Sequence, residues 1–592
     1  MLVRGLFVLA AATAAGSGQI GDGALEQRKS AEQKILESPS SAKDGRALRD
    51  TRESLGSRGA DGAGEGEFVL IGIGDSLTHG TMDGTNNATN TLHAYLQLVA
   101  DSLASVVPLR FSQPLFDDAG NRESPWLVPT NVGVDGANIF SIEGFEYYKR
   151  VGAAESFINE SLVCDEFLPQ RLESKSEKVL YPLNLLARTG VTQVNGAVEL
   201  VNRYAPAGGD DRAIVVLWAG NNDSSTAALG EGGENPMVLP IPADLVEQEL
   251  SPALRLLLKV ATEKGIVSFD PYSMHFIERN LTELSDFATQ YNHVLDRLIA
   301  ESDGALETGR MDVFLLTLPY YSSVGYLIDS EDLEYYLRKL DPAYSVPPTF
   351  ARVAEPDQPI TDPTKGDRVS LLTFGMMYTL LSTGYDAAYV NQVLEVGGVQ
   401  RDGMVLSEAE QDFIAARIDG FNQVIVDAAA SRGSHVHRVG IGEYLNDVLT
   451  GETTVVIGGR MVSRKWVRGG AFSLDGVHPG YSGQAFTANY VLGEINAALG
   501  LSAPNYDLEV ILATDPYVDR DGDGWAAGPS YPVRGLAEAL FMLTDPDDQS
   551  SATQVVLPRS AWRDLSKAIL TELLGIPSIR LEAERLGIVG SE

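Results

Sequence analysis

The 592-residue chain contains a single cysteine, Cys164, so it can form no disulfide within itself. An exported protein without disulfides suits a bacterial periplasm or exterior better than an animal secretory route. Basic residues are scarce as well: 45 Lys and Arg stand against 81 Asp and Glu, a formal net charge of −36. So acidic a surface repels nucleic acid and anionic membranes, which excludes polyanion-binding classes of function. No apolar run is long enough to span a bilayer, so no transmembrane segment is expected. Histidine is sparse too, with seven imidazoles in the whole chain.

What is present is 44% apolar residues, enough for one large domain with appendages or for two to three domains. The first residues read as an export signal over 1–15. Arg4 is a short basic start, Gly5 to Ala12 an apolar stretch, and Ala12-Thr13-Ala14 offers small residues for cleavage. Residues 16–66 are Gly, Ser, Ala and charge with almost no aromatics, which predicts a flexible leader.

Structure is expected to begin at Phe68–Ile73, an apolar run typical of a buried parallel strand. Leu92, Tyr95, Leu96, Val99 and Leu103 then mark one face of a helix. Further strands are expected at Ala213–Trp218, Val313–Thr317 and Val436–Ile441, with helices between them. The clearest helix runs from Ser407 to Ser431. It opens on a Ser407/Glu410 capping box, carries Ile414, Ile418, Phe421 and Ile425 on one stripe, and stops at Gly433. This alternation predicts an α/β fold with a mainly parallel sheet. Residues 320–404 exceed what such a sheet needs and read as an insertion within a domain spanning 67–505. Residues 506–592 read as a small helical appendage around an Asp-rich loop.

Chemistry concentrates where the first strand ends, at Gly74-Asp75-Ser76-Leu77. A Ser at the C-terminal end of a buried strand sits where α/β folds place ligands. Near the other end of the chain, Asp475 precedes His478 by three residues, the one histidine with a carboxylate at that spacing. On a loop, Asp475 can accept from one imidazole nitrogen while the other faces a serine hydroxyl. Gly136, closing Asn131-Val-Gly-Val-Asp-Gly136, has no side chain to block a backbone N–H aimed at a substrate oxygen. The Asn amides of Gly220-Asn221-Asn222-Asp223 follow a strand directly and can donate into the same space.

These four blocks, in their order along the chain (Ser76, Gly136, Asn222, His478), resemble the GDSL or SGNH hydrolase family. Leu316-Thr-Leu-Pro319 and Gly420-Phe-Asn422 are similar to it too, as is the run from Asp475 to Tyr490. The resemblance covers about residues 67–500. It implies a three-layer α/β/α flavodoxin-like sandwich and ester hydrolysis with no cofactor for catalysis. Ser76 would be the nucleophile, Asp475 and His478 would complete a triad, and Ser76 N–H, Gly136 N–H and Asn222 would form the oxyanion hole. The stretch from Asn222 to Asp475 is far longer than a minimal member needs, which leaves the substrate open.

Three functions remain at this level: a lipase or esterase on acyl esters, an esterase on O-acetylated polysaccharide, and an inactive, calcium-stabilised surface protein. Two weaker signals bear on them. Asp519, Asp521 and Asp523, followed by Gly524, match the first half of a calcium loop, with Ser530 where such loops supply a bidentate Glu. The apolar, Met-rich run Val369–Leu381 reads as a buried helix, with a lid beside Ser76 as the alternative. His79 is expected to play a polar role at the edge of the cleft, and the other five histidines to lie at the surface or at strand ends.

Overall fold

A computed structural model describes residues 66–148, 157–159, 175–183, 192–230, 237–263, 267–529, 531 and 577–587, with short gaps at 119, 239–241, 249, 270–271 and 356–357. The expected export signal, all but the last residue of the leader, Cys164 and Ser530 lie outside the described residues.

The centre is a five-stranded parallel sheet. Its strands are β1 (Phe68–Gly74), β2 (Leu109–Arg110), β3 (Arg212–Trp218), β4 (Met311–Leu316) and β5 (Val436–Val439), in the spatial order β5-β4-β3-β1-β2. All but the first residues of β1 and β3, and all of β4, are buried. A strand covered on both faces has no reason to alternate, which is why these segments read as continuous apolar runs. Helices cover the sheet in two groups. In chain order the helices include α1 (Ser76–His79), α2 (Tyr95–Leu103), α3 (Gln193–Tyr204), α4 (Asn222–Leu229), α5 (Leu284–Glu301), α6 (Leu371–Ser382), α7 (Glu408–Ser431), α8 (Ile441–Thr450) and α9 (Tyr481–Leu499), of which α6 packs on the insertion's own elements. Helix α5 packs against both α3 and α7, whereas α9 packs against both α2 and α8. Such an arrangement is compatible with an α/β sandwich. The Ser407/Glu410 capping box starts α7 as the sequence predicts.

Helix α6 is buried along Leu371–Leu381, on every side. A helix apolar all round belongs inside a protein, so this part of the insertion is core. The insertion is also tied down by charge. Asp329 and Asp332, both buried, pair with Arg464, Lys465 and Arg468, just upstream of the Asp475 loop. One aromatic cluster joins three distant segments: Tyr336 lies 5.7 Å from Trp466 and 5.1 Å from Trp525 between ring centres. Trp525 and Tyr517 thus belong to the common core, and the chain from Asp515 to Tyr531 does not stand apart as an appendage.

Candidate functional site

Ser76 sits at the first turn of α1, immediately beyond the C-terminal end of β1, and is 8% exposed. Glycine is needed just before it. A Cβ on Gly74 would meet the Trp218 carbonyl oxygen at 2.3 Å, so only glycine lets the ends of β1 and β3 approach this closely. Asp75 caps α1 by accepting from Leu77 N (3.0 Å), and it takes a second bond from Asn221 Nδ2 (2.9 Å). Burial raises the Asp75 carboxyl to about 6. The block around Ser76 is thereby pinned to the block around Asn222.

Asp475 and His478 form a tight pair on a closed loop. Ser473 N donates to His478 O (2.8 Å), and Gly476 turns the chain at a left-handed φ of 70°. A Cβ there would strike Tyr326 N at 2.7 Å, and the same Tyr326 N–H donates to Gly476 O (2.8 Å), so the insertion braces the loop directly. Asp475 Oδ2 lies 2.6 Å from His478 Nδ1 and accepts from Gly84 N (2.9 Å). Its Oδ1 accepts from Ser473 Oγ, Val477 N and His478 N. Burial pushes the Asp475 carboxyl up, but the His478 charge and these donors outweigh it and hold the pKa below the usual range. An ionised carboxylate only accepts, so Nδ1 carries the imidazole proton and Nε2 is left to act as base. His478 is shifted the other way. Burial pulls its pKa down, yet the Asp475 charge and hydrogen bond raise it above 6.5.

The third and fourth blocks meet each other. The chain from Asn131 runs beside β1, with Val132 N on Gly72 O and Val134 N on Gly74 O. Gly136 is exposed with φ at 82° and open space where a Cβ would stand, so its backbone conformation, not crowding, calls for glycine. Asn222, at the start of α4, donates through Nδ2 to Ala137 O (3.0 Å), and the buried Asp223 accepts from Ile139 N (2.9 Å). The blocks converge at one end of the sheet. Leu77, beside Ser76, and Val477 and Pro479, on either side of His478, line one cavity with Trp218, Leu445 and Phe486. His478 also feels the charges of Asp75 and Asp135. Asn422 pairs both backbone polar groups of Leu318, joining the two minor blocks.

Other expectations fared differently. His79 is not at a cleft edge: it is 1% exposed, stacked on Phe116, with Nδ1 at 3.1 Å from Gly133 O. His435 and His437 flank Asp312 near the start of β4, both within 3.0 Å of its Oδ1. Asp83, Gly84 and Ser473, which contact the Asp475 loop or its carboxylate, were missed. The Asp83-Gly84 turn is visible in the sequence, but nothing there announces a partner about 390 residues away. Oxygens of Asp519, Asp521 and Asp523 lie within 4.8 Å of one another. Asp519 already accepts from Gly522 N and Gly524 N, and Lys339 donates to the Asp523 carbonyl. An all-oxygen donor set suits a hard cation such as calcium.

Compared with known proteins, the chain matches no family model, no curated protein and no solved structure.

The raised His478 pKa has a direct kinetic consequence. If His478 serves as a base it must be neutral, and kcat/KM for that reaction would fall as pH drops through that pKa. A pH profile should place the acid limb above 6.5. A limb clearly below that value would mean that Asp475 does not hold the imidazolium.

Proposed function

We propose that the chain is a serine hydrolase of carboxylic esters, of the GDSL or SGNH type and its three-layer α/β/α sandwich. The observation that carries this reading is the 2.6 Å bond between Asp475 and His478, on a loop braced by the Gly84 turn that follows α1. In the proposed reaction Ser76 Oγ attacks the ester carbonyl carbon while His478 Nε2 takes the hydroxyl proton. The carbonyl oxygen, now an anion, takes bonds from Ser76 N, Gly136 N and Asn222 Nδ2. An amide nitrogen carries two hydrogens, so Asn222 can keep its bond to Ala137 O and donate a second. His478 then returns the proton to the departing alkoxide, and a water activated by the same nitrogen releases the acid from Ser76. No metal or cofactor is required for these steps.

The cavity favours an acyl ester over an acetylated glycan. Its walls are apolar, and at about 50 Å³ it has room for about three to five waters, or a chain of a few carbons. A sugar ring would strand its hydroxyls there. The partner is therefore a small-molecule or lipid ester. Nucleic acid is excluded by charge, and among the described residues no helix is long and apolar enough to cross a membrane. The start of the sequence supports export to the periplasm or exterior.

Three expectations follow from this reading. In a p-nitrophenyl ester series, butyrate and hexanoate should outpace both acetate and dodecanoate; a preference for acetylated glycan would reverse the substrate assignment. Ser76→Ala and His478→Ala should each remove nearly all activity, with the double variant little worse than either, because triad losses are not additive. Asn222→Ala should lower kcat by about 10²–10³ with little change in KM, since its extra donor acts on transition-state charge. A folded Ser76→Ala protein with wild-type activity would overturn the mechanism. The Asp519, Asp521 and Asp523 loop is proposed to hold a structural calcium ion. Chelation should then lower the melting temperature of the purified protein, and an unchanged melting temperature would rule the ion out.

A further inference from the structure

The geometry points to Asp83 as a positioning residue for the Asp475–His478 pair, held in place by Tyr531 from the C-terminal segment; this rests on the ester-hydrolase reading above. Asp83 is fully buried and lies at a left-handed φ of 53°, unusual for a residue with a side chain. Its backbone N–H donates to Ser473 Oγ (3.1 Å), and that hydroxyl donates to Asp475 Oδ1 (3.1 Å). Its Oδ1 accepts from Leu474 N (2.8 Å), the residue directly before Asp475. The next residue, Gly84, gives its N–H to Asp475 Oδ2 (2.9 Å). One turn of chain therefore grips the loop at Ser473, Leu474 and Asp475 together.

Behind it stands a buried polar cluster. Tyr531 O–H bonds to Asp83 Oδ2 (3.0 Å) and lies 2.6 Å from Asn90 Oδ1. Tyr517 contacts both Tyr531 and Asn90, and Asn90 Nδ2 donates to Met82 O and Thr85 Oγ1. Asp515, from the same segment, accepts from Ser482 N at the start of α9, which α9's own N-cap, Gly480, cannot do. The charged group facing Asp83 is Asp475, and the titratable hydroxyls of Tyr481, Tyr517 and Tyr531 around it are kept neutral by burial. Burial, then the Asp475 charge, raises its carboxyl to about 7. So expensive a carboxylate, next to a second one, is hard to explain as packing alone.

The test uses the full chain, with steady-state kinetics on a short ester, circular dichroism and the low-field proton resonance of the His478 Nδ1–H. Asp83→Ala should lower kcat by about 10–100-fold with KM nearly unchanged, since misplacement by about 1 Å costs that order of rate. Asp83→Asn should restore most of kcat, because its amide oxygen still accepts from Leu474 N and Asn tolerates a positive φ. Both variants remove a carboxyl beside Asp475 that is negative only above about 7, so the upper part of the acid limb of kcat/KM should move to lower pH. Tyr531→Phe should give a smaller loss of kcat. A structural role alone would lower the melting temperature and leave kcat and the limb where they were. A folded Asp83→Ala enzyme with wild-type kcat and an unmoved limb overturns the proposal. Should Asp83→Ala not fold, wild-type kcat and an unmoved limb in both Asp83→Asn and Tyr531→Phe overturn it. The proton resonance separates this proposal from the ester reading. It should shift or broaden in Asp83→Ala even if no ester proves to be a substrate, and an unchanged resonance in a folded variant also overturns the positioning role.

Discussion

A buried anion, Asp475, makes the strictest demand in this molecule. Taking a carboxylate out of water costs several kcal/mol unless donors replace the lost hydration. Here five hydrogen bonds do so, from Gly84 N, Ser473 Oγ, Val477 N, His478 N and His478 Nδ1. One of these partners, Gly84 N, comes from outside the loop, and another, Ser473 Oγ, is itself held by Asp83 N from outside it. The carboxylate is therefore met only if the loop, the turn after α1 and their supports are all in place.

That demand explains the two additions to the basic sheet. The insertion reaches the loop through Tyr326 and through the ion pairs of Asp329 and Asp332 with Arg464, Lys465 and Arg468. The C-terminal segment reaches it from the other side through Tyr531, Tyr517 and Asp515. Trp466 links both, packing against Tyr336 and Trp525 while its Nε1 donates to Leu474 O (2.9 Å). Buried ion pairs are weak contributors to stability, but they hold charged groups in one geometry. A loop that must present a base in one orientation has use for that.

The apolar cavity follows from the same packing. Helices α8 and α9 and the loop between Ile457 and Phe472 wall it, and its near edge is the residues flanking Ser76 and His478. The insertion adds Ser323 and Val324 to that wall, and the rest of the lining comes from the sheet, its helices and the loops between them.

The strands, the capped α7 and the order of the four blocks were legible in the sequence, because each depends on neighbours within a few residues. An apolar run buried on both faces, a Ser407/Glu410 box and a three-residue Asp–His spacing are local statements. Glycine at 136 answers to its own backbone conformation, whereas glycine at 74 answers to the Trp218 carbonyl on another strand. What remained hidden is long-range. His79 looked like a polar edge residue and proved buried, because Gly133 and Phe116 close over it. Asp83 carried no signal of this role in the sequence, yet it accepts from a loop about 390 positions on. The stretch from Asp515 to Tyr531 looked separate and proved part of the core. Sequence by itself determined the strands, the capped helix and the order of the four blocks proposed to carry the chemistry. Only the tertiary structure decided what holds them still, since hydrogen bonds to a buried charge come from whatever chain the fold brings near.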